Sequence, residues 1–243
     1  MIIIKFSDNI EHVYNSFEEI LKLDNYNDIV YINCRSSSLT SLPRLPISLI
    51  YLNCDTNSLS SLPELPNSLT YINCTNNNLS SLPELPDSLQ YIWYQYNNLS
   101  ILPELPNSLI ELCCSDNDLS NLPKLPKSLT CLWCDNNYGL SSLPELPNSL
   151  ITLCCNCSNL SSLPELPNSL INIYYYDSPI YTYIEDYFEG DTQKYFEYYN
   201  NIKKKFSNKI GNWFLECKYN PKYLYCRKRL IKEYDELYNS SYS

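Results

Sequence analysis

The sequence predicts an α/β repeat solenoid. It would be a stack of short parallel strands forming one concave sheet, with an extended, polyproline-like convex side, a helical N-terminal cap and a helical C-terminal segment. Three observations predict it. The motif Leu-Pro-x-Leu-Pro occurs seven times in the 243 residues, beginning at Leu42, Leu62, Leu82, Leu102, Leu122, Leu143 and Leu163, at a spacing of 20 with one step of 21. A second pattern, L-x-x-L-x-C-x-x-N-x-L, runs between the copies, as in Leu49, Leu52, Cys54, Asn57 and Leu59. Both patterns stop near residue 180, where tyrosine and basic residues take over. Self-similarity at a fixed period of about 20–50 residues is the signature of an architecture in which each unit buries its apolar face only against its neighbours.

Residues 1–28 precede the first repeat and read as its cap. A short strand over residues 2–6 is followed by an amphipathic helix, with Ile10, Val13, Tyr14, Phe17 and Leu21 sharing one helical face. Ser7 or Asp8 is positioned to cap it.

Residues 29–180 supply eight strand segments, starting at Ile29, Leu49, Leu69, Leu89, Leu109, Leu129, Leu150 and Leu170. The apolar positions of each strand point inward, and the Asn position suits a turn whose backbone its amide can bond. The sixth repeat carries one extra residue near Gly139, which accounts for the step of 21. The Leu-Pro-x-Leu-Pro return cannot be helix interior or central strand, because each Pro lacks an N–H. It suits an extended conformation that needs no internal hydrogen bonds. Its variable residue runs Arg44, Glu64, Glu84, Glu104, Lys124, Glu145, Glu165, a solvated row. The third core position is Cys34, Cys54, Cys74, Tyr94, Cys114, Cys134, Cys155 and Tyr175, and there Cys packs as a small buried hydrophobe. Neighbouring core cysteines are expected near 5 Å apart, as strand spacing dictates.

These repeats resemble the leucine-rich repeat, in the short Leu-Pro-rich variety found in secreted bacterial effectors and in proteins of large DNA viruses. The resemblance covers residues 29–180. It implies a leucine-rich-repeat solenoid and a protein-binding function, and leaves the ligand open.

Between the core residues, each strand shows side chains to the concave face. The first exposed column is Tyr31, Tyr51, Tyr71, Tyr91, Glu111, Cys131, Thr152, Asn172, and the second is Asn33, Asn53, Asn73, Trp93, Cys113, Trp133, Cys154, Tyr174. A third holds Arg35, Asp55, Thr75, Gln95, Ser115, Asp135, Asn156 and Tyr176. A fourth holds Ser36, Thr56, Asn76, Tyr96, Asp116, Asn136, Cys157 and Asp177. Tyr and Trp favour interfaces because they combine large contact area with a polar handle. The candidate protein-binding set is therefore Tyr71, Asn73, Tyr91, Trp93, Tyr96, Asp116, Trp133 and Asp135. The alternative is that like aromatics on neighbouring strands pair with one another. Cys113, Cys131, Cys154 and Cys157 share this face, and whether they bind a metal stays open; strand geometry sets them loosely for zinc.

Composition argues against catalysis. Three scattered glycines, Gly139, Gly190 and Gly211, exclude a Gly-rich phosphate loop. His12 is the lone histidine, with no base, nucleophile or metal partner in view. No catalytic residue, metal or cofactor is expected. Residues 29–180 carry 4 basic and 12 acidic side chains, which disfavours nucleic acid and anionic membrane as partners. The apolar run Ile2, Ile3, Ile4 ends at Lys5, far short of a signal-peptide core, so the chain is expected to be intracellular and cytoplasmic, its twelve cysteines reduced.

Residues 181–243 hold half of the 24 tyrosines. Tyr195, Tyr199, Ile202, Phe206, Ile210, Trp213 and Cys217 trace one helical stripe, with Thr192 as its cap. Leu224, Arg227, Ile231, Tyr234 and Tyr238 sketch a second helix after Asn220-Pro221. The stretch from Gly211 to Pro221, with Cys226 to Leu230 after it, looks like a tail shared among proteins of large DNA viruses. Lys203-Lys204-Lys205 and Arg227-Lys228-Arg229 read as solvated helix faces. The function expected is a non-enzymatic protein-binding module, an intracellular effector or scaffold whose partner would be a protein, a host protein if the resemblance holds. The alternatives are a ubiquitin-ligase-type effector, a ligase adaptor, or a structural repeat protein without a specific ligand. Against a ligase, neither Cys217 nor Cys226 is followed by the acidic neighbour that such a family's cysteine motif shows.

Overall fold

A computed structural model describes residues 1–198. The chain divides into two compact units, residues 1–187 and 188–243, a few residues beyond the 180/181 division read from the sequence. The helices expected beyond residue 198 and the two basic clusters lie outside the described residues.

The first unit is built on one ten-stranded sheet. Its body is eight parallel strands: β3 (Tyr31–Asn33), β4 (Tyr51–Asn53), β5 (Tyr71–Asn73), β6 (Tyr91–Trp93), β7 (Glu111–Cys113), β8 (Cys131–Trp133), β9 (Thr152–Cys154) and β10 (Asn172–Tyr174). Equivalent residues pair throughout, Tyr31 with Tyr51, Tyr51 with Tyr71, Trp93 with Cys113 and Cys113 with Trp133. The predicted register holds: Ile32, Leu52, Ile72, Ile92, Leu112, Leu132 and Leu153 are fully buried, while Trp93 and Trp133 lie on the open face. A slip of one residue would have exchanged those two sets.

The returns carry neither helix nor strand. Each ends in a tight turn, as in Leu69 N–H donating to the Pro66 carbonyl at 3.0 Å and Leu89 N–H to Pro86 at 3.1 Å. All seven variable residues of the Leu-Pro-x-Leu-Pro motif are exposed.

Two side-chain ladders tie the repeats together. Asn57, Asn77, Asn97, Asn117 and Asn137 form the first. Asn97 is typical: its Nδ2 donates to the carbonyls of Cys74 (3.0 Å) and Tyr94 (3.1 Å), and its Oδ1 accepts from Leu79 N–H (3.0 Å) in the preceding repeat. At Ser158 the side chain reaches only its own repeat, through Cys155 O at 2.8 Å. There the leucine that an asparagine would have served, Leu140, donates instead to Asn137 O at 3.0 Å, beside the extra residue. The second ladder was not anticipated. Ser68, Ser88, Ser108, Ser128, Ser149 and Ser169 each donate to a leucine carbonyl one repeat back, as Ser88 does to Leu69 O at 2.6 Å. Its signal was present, a serine directly before the first leucine of each repeat after the first.

The N-terminal cap differs from the helix predicted. Residues 10–14 belong to a hairpin: β1 (Ile2–Lys5) pairs antiparallel with both β2 (Glu11–Tyr14) and β3. The only α-helix here is one turn, α1 (Phe17–Ile20). Ile10, Val13 and Leu21, assigned to a buried helical face, are exposed. The turn is made by Ser7 and Asp8 and closed by Asn9 N–H donating to the Phe6 carbonyl at 3.0 Å, with Asn9 at φ 63° and Ile10 N–H donating to Asp8 Oδ1 at 3.0 Å. The cause is the bare edge of β3, whose N–H and C=O groups need partners that only a strand supplies.

At the other end, α2 (Pro179–Phe188) buries Ile180 and Ile184. Its start was missed although Ser178-Pro179 is a start signal, proline suiting the first helical position. Ser178 Oγ accepts from Tyr181 N–H at 3.3 Å. In the second unit, residues 192–198 are helical. Asp191, one residue before the expected Thr192, caps them, accepting from Lys194 N–H at 3.0 Å. That bond, chiefly, lowers the Asp191 pKa.

Candidate functional site

The open face of the sheet has two regions of different character. Over β3–β5 the tyrosine column stacks on itself. Tyr31 and Tyr51 lie 4.5 Å apart and 8° from parallel, and Tyr51 and Tyr71 lie 4.3 Å and 4°. The Tyr31 end of the stack is covered by the chain's own cation, Lys5, 5.0 Å from the ring centre. Burial raises the Tyr51 and Tyr71 pKa values, so these hydroxyls stay neutral. Beside them Asn33, Asn53 and Asn73 turn inward in function: each Oδ1 accepts from the N–H two residues on, at 3.1, 3.0 and 2.9 Å. Asn73, a candidate contact residue, is 7% exposed and engaged in this way.

Over β6–β8 the stack breaks. Tyr71 meets Trp93 edge-on at 5.6 Å and Tyr91 at a tilt, 6.3 Å away. Strand pairing then places Trp93, Cys113 and Trp133 side by side. Cys113 is small and 5% exposed, so it forms the floor of a slot with an indole on each side. By strand spacing the two tryptophans stand about 10 Å apart at Cα. The cavity measures about 370 Å³, and Tyr96, Glu111, Asp116 and Asp135 also line it. Trp93 Nε1 donates to Glu111 Oε1 at 2.7 Å, which fixes the indole. Ser115 Oγ donates to Asp135 Oδ1 at 2.7 Å, and Asn136 Nδ2 to Asp116 Oδ1 at 2.9 Å. Burial, with the Asp135 charge adding to it, raises the Asp116 pKa above the ordinary carboxylate value.

Five of the eight candidate residues, Trp93, Tyr96, Asp116, Trp133 and Asp135, line this slot. Tyr71 and Tyr91 border it, and Asn73 does not reach it. Sequence reading missed Glu111 and Cys113 as parts of the site; their signal was their position, opposite Tyr91 and Trp93 on the next strand. The fourth column has an unforeseen trait. Ser36, Thr56, Asn76, Tyr96, Asp116, Asn136, Cys157 and Asp177 all take positive φ, 48–56°. Asn and Asp tolerate this conformation best, because their short side chains bond locally.

The cysteines are placed as follows. Cys34, Cys54, Cys74, Cys114, Cys134 and Cys155 are fully buried and free. Cys54 and Cys74 approach to 3.0 Å between sulfurs, closer than the strand spacing expected for this column, as a thiol–thiol hydrogen bond. Burial raises the Cys34 and Cys134 thiols, and Cys114 and Cys155 to about 12. Cys131, Cys154 and Cys157 are partly exposed, the last facing Asp177 at 3.9 Å. Among the described residues, no three His, Cys, Asp or Glu side chains are grouped to hold a metal ion, and no helix is long and apolar enough to cross a membrane. His12 packs edge-on against Phe6, 5.4 Å away.

Comparison with solved structures places this architecture. The leucine-rich-repeat domain of a Shigella effector is 32% identical, with a TM-score of 0.57, over 67% of this chain and 73% of that one. The chain belongs to the leucine-rich repeat family. YopM from Yersinia enterocolitica is 37% identical (TM-score 0.62) over 63% of this chain and 34% of its own. YopM from Yersinia pestis, described as a leucine-rich effector protein, is 34% identical (TM-score 0.50) over 61% and 49%. This leucine-rich repeat chain thus spans about a third to a half of the YopM chains. A scan against protein-family models and a search of curated proteins each return no match.

Proposed function

We propose that this chain is a non-enzymatic protein-binding module that works through the open face of its sheet, as an intracellular effector or scaffold of the short Leu-Pro-rich kind, with a protein partner that is a host protein if the chain is viral or secreted into a host. The observation that carries the reading is the pair of part-exposed indoles, Trp93 and Trp133, held apart over Cys113 on an otherwise ordered sheet face. Buried aromatic anchors concentrate interface energy, each costing about 2 kcal/mol or more on truncation. Kinship with bacterial effector repeats supports the same reading.

The test is affinity capture from the native cell, followed by affinity measurement on the partner obtained. Trp93→Ala and Trp133→Ala should each weaken binding more than about tenfold. Glu84→Ala and Glu104→Ala, on exposed return positions, should leave it unchanged. Unfolding midpoints are measured on all four, because a Trp variant that merely unfolds says nothing of binding. Normal binding by folded Trp variants would refute the proposal.

A further inference from the structure

We propose that the slot between Trp93 and Trp133 receives the guanidinium of an arginine on a basic segment of the partner protein. The inference rests on the protein-binding reading and names the chemistry it selects.

Charge complementarity carries it. The four exposed columns hold five acidic side chains, Asp55, Glu111, Asp116, Asp135 and Asp177, and one basic one, Arg35. Arg35 is spent on Asp55, at 2.8 Å, several strands away from the slot. Among the described residues, Glu111, Asp116 and Asp135 have no ion-pair partner; the ion pairs lie elsewhere, at Lys5–Glu11, Arg35–Asp55 and around Lys194. Three carboxylates thus line one aromatic cavity without a counter-charge. Glu111 accepts an internal hydrogen bond from Trp93, Asp116 from Asn136, and Asp135 from Ser115 and the Cys154 thiol, which fixes their directions and leaves further lone pairs open.

The walls suit the same ligand. A planar cation entering over Cys113 comes within about 6 Å of an indole on either side, the reach of a cation–π contact. The contrast with the other end of the aromatic row is informative. There the chain covers Tyr31 with its own Lys5; here, among the described residues, no cation lies over the rings. Arginine fits better than lysine or a quaternary ammonium. Its five donors in a fixed fork match several carboxylates at once, and its flat, weakly hydrated face stacks on rings. A quaternary ammonium has no donor to give. Asp116 adds a reason: it is destabilised by burial and by Asp135, and an incoming cation relieves that repulsion.

The experiment titrates the full chain with a fluorescent Gly-Ser peptide bearing spaced arginines. Twin peptides carry lysine, or citrulline, the neutral isostere, in the same places. The arginine peptide should bind at least about tenfold more tightly than the citrulline twin, and more tightly than the lysine twin. Glu111→Gln and Asp135→Asn keep the internal hydrogen bonds and remove charge; together they should cost at least about tenfold at an unchanged unfolding midpoint. Cys113→Leu fills the slot and should abolish binding with all charges kept. Equal affinity for arginine and citrulline peptides, or full affinity in the folded charge variants, would overturn the proposal, as would no binding of the arginine peptide. Equal affinity for lysine would overturn the guanidinium assignment. If these fail while Trp93→Ala still weakens capture of a cellular partner, the cation falls and the binding face stands. If capture is also insensitive to Trp93, both fall.

Discussion

Replacing Asn97 tests whether its ladder holds the solenoid together, and the cost follows from counting what each backbone group retains. Asn97 is 8% exposed. In Asn97→Ala, the Cys74 carbonyl loses one donor but keeps Asn77 Nδ2 at 3.1 Å, and the Tyr94 carbonyl keeps Asn117 Nδ2 at 3.0 Å. Leu79 N–H loses its acceptor and stays buried. An orphaned buried donor costs about 1–3 kcal/mol, and each diminished carbonyl adds about 0.5 kcal/mol, so the change should cost about 2–4 kcal/mol. Asn97→Ser should cost about 0.5 kcal/mol less, because a serine here bonds its own repeat's carbonyl, as Ser158 does at 2.8 Å, while Leu79 N–H stays orphaned. Urea unfolding followed by tryptophan fluorescence and by far-UV circular dichroism measures both. With an m-value of about 2–3 kcal/mol/M, the alanine variant should unfold about 1 M earlier. A midpoint within about 0.2 M of the parent would refute the reasoning, as would equal losses for serine and alanine.

Three further outcomes are expected. Among the described cysteines, thiol labelling of the native protein at pH 8 should modify the part-exposed Cys131 and Cys157 first, and Cys154, which burial raises to about 12, more slowly. Cys114 and Cys155, raised to about 12, should react only on unfolding; rapid labelling of both in the folded state would contradict the core assignment. Asp116→Asn should stabilise the protein at neutral pH and do nothing in strong acid. Its raised pKa means the fold penalises the carboxylate, a penalty absent below the unfolded carboxylate range and complete once pH has risen past the folded value; parallel pH–stability curves for parent and variant would refute this. Deleting residues 1–14 should expose the β3 edge and cause association, read by light scattering; a monomeric, cooperatively unfolding product would show that the hairpin is dispensable.

The repeat body was legible because two periods reinforce each other. A strand alternates every second residue, and the chain repeats every 20, so one correctly oriented strand orients all eight. The placement of Trp93 and Trp133 on the open face follows from that alone. What stayed hidden was non-periodic. Residues 10–14 fit a helical face and an alternating strand equally, and only the unpaired edge of β3 decides between them. The bond from Trp93 to Glu111 depends on a rotamer, and the slot depends on the small size of Cys113, a neighbour 20 residues away that no local pattern marks. The tyrosine column turned out to be stacked on itself across its N-terminal part, the alternative the sequence left open.

Each asparagine of the ladder accepts its hydrogen bond from a leucine N–H 18 residues upstream: Asn57 from Leu39, Asn77 from Leu59, Asn97 from Leu79, Asn117 from Leu99 and Asn137 from Leu119. A rung that always reaches back by the same distance is indifferent to how many rungs there are. Excising or duplicating 20 residues within this stretch rejoins equivalent donors and acceptors, whereas the same cut across residues 138–158 does not, because Leu140 is satisfied locally there. Length is therefore an editable property of this molecule over one interval and a fixed one beyond it. Whole repeats, each bringing its own set of exposed side chains, can be exchanged between Asn57 and Asn137 without renegotiating the backbone.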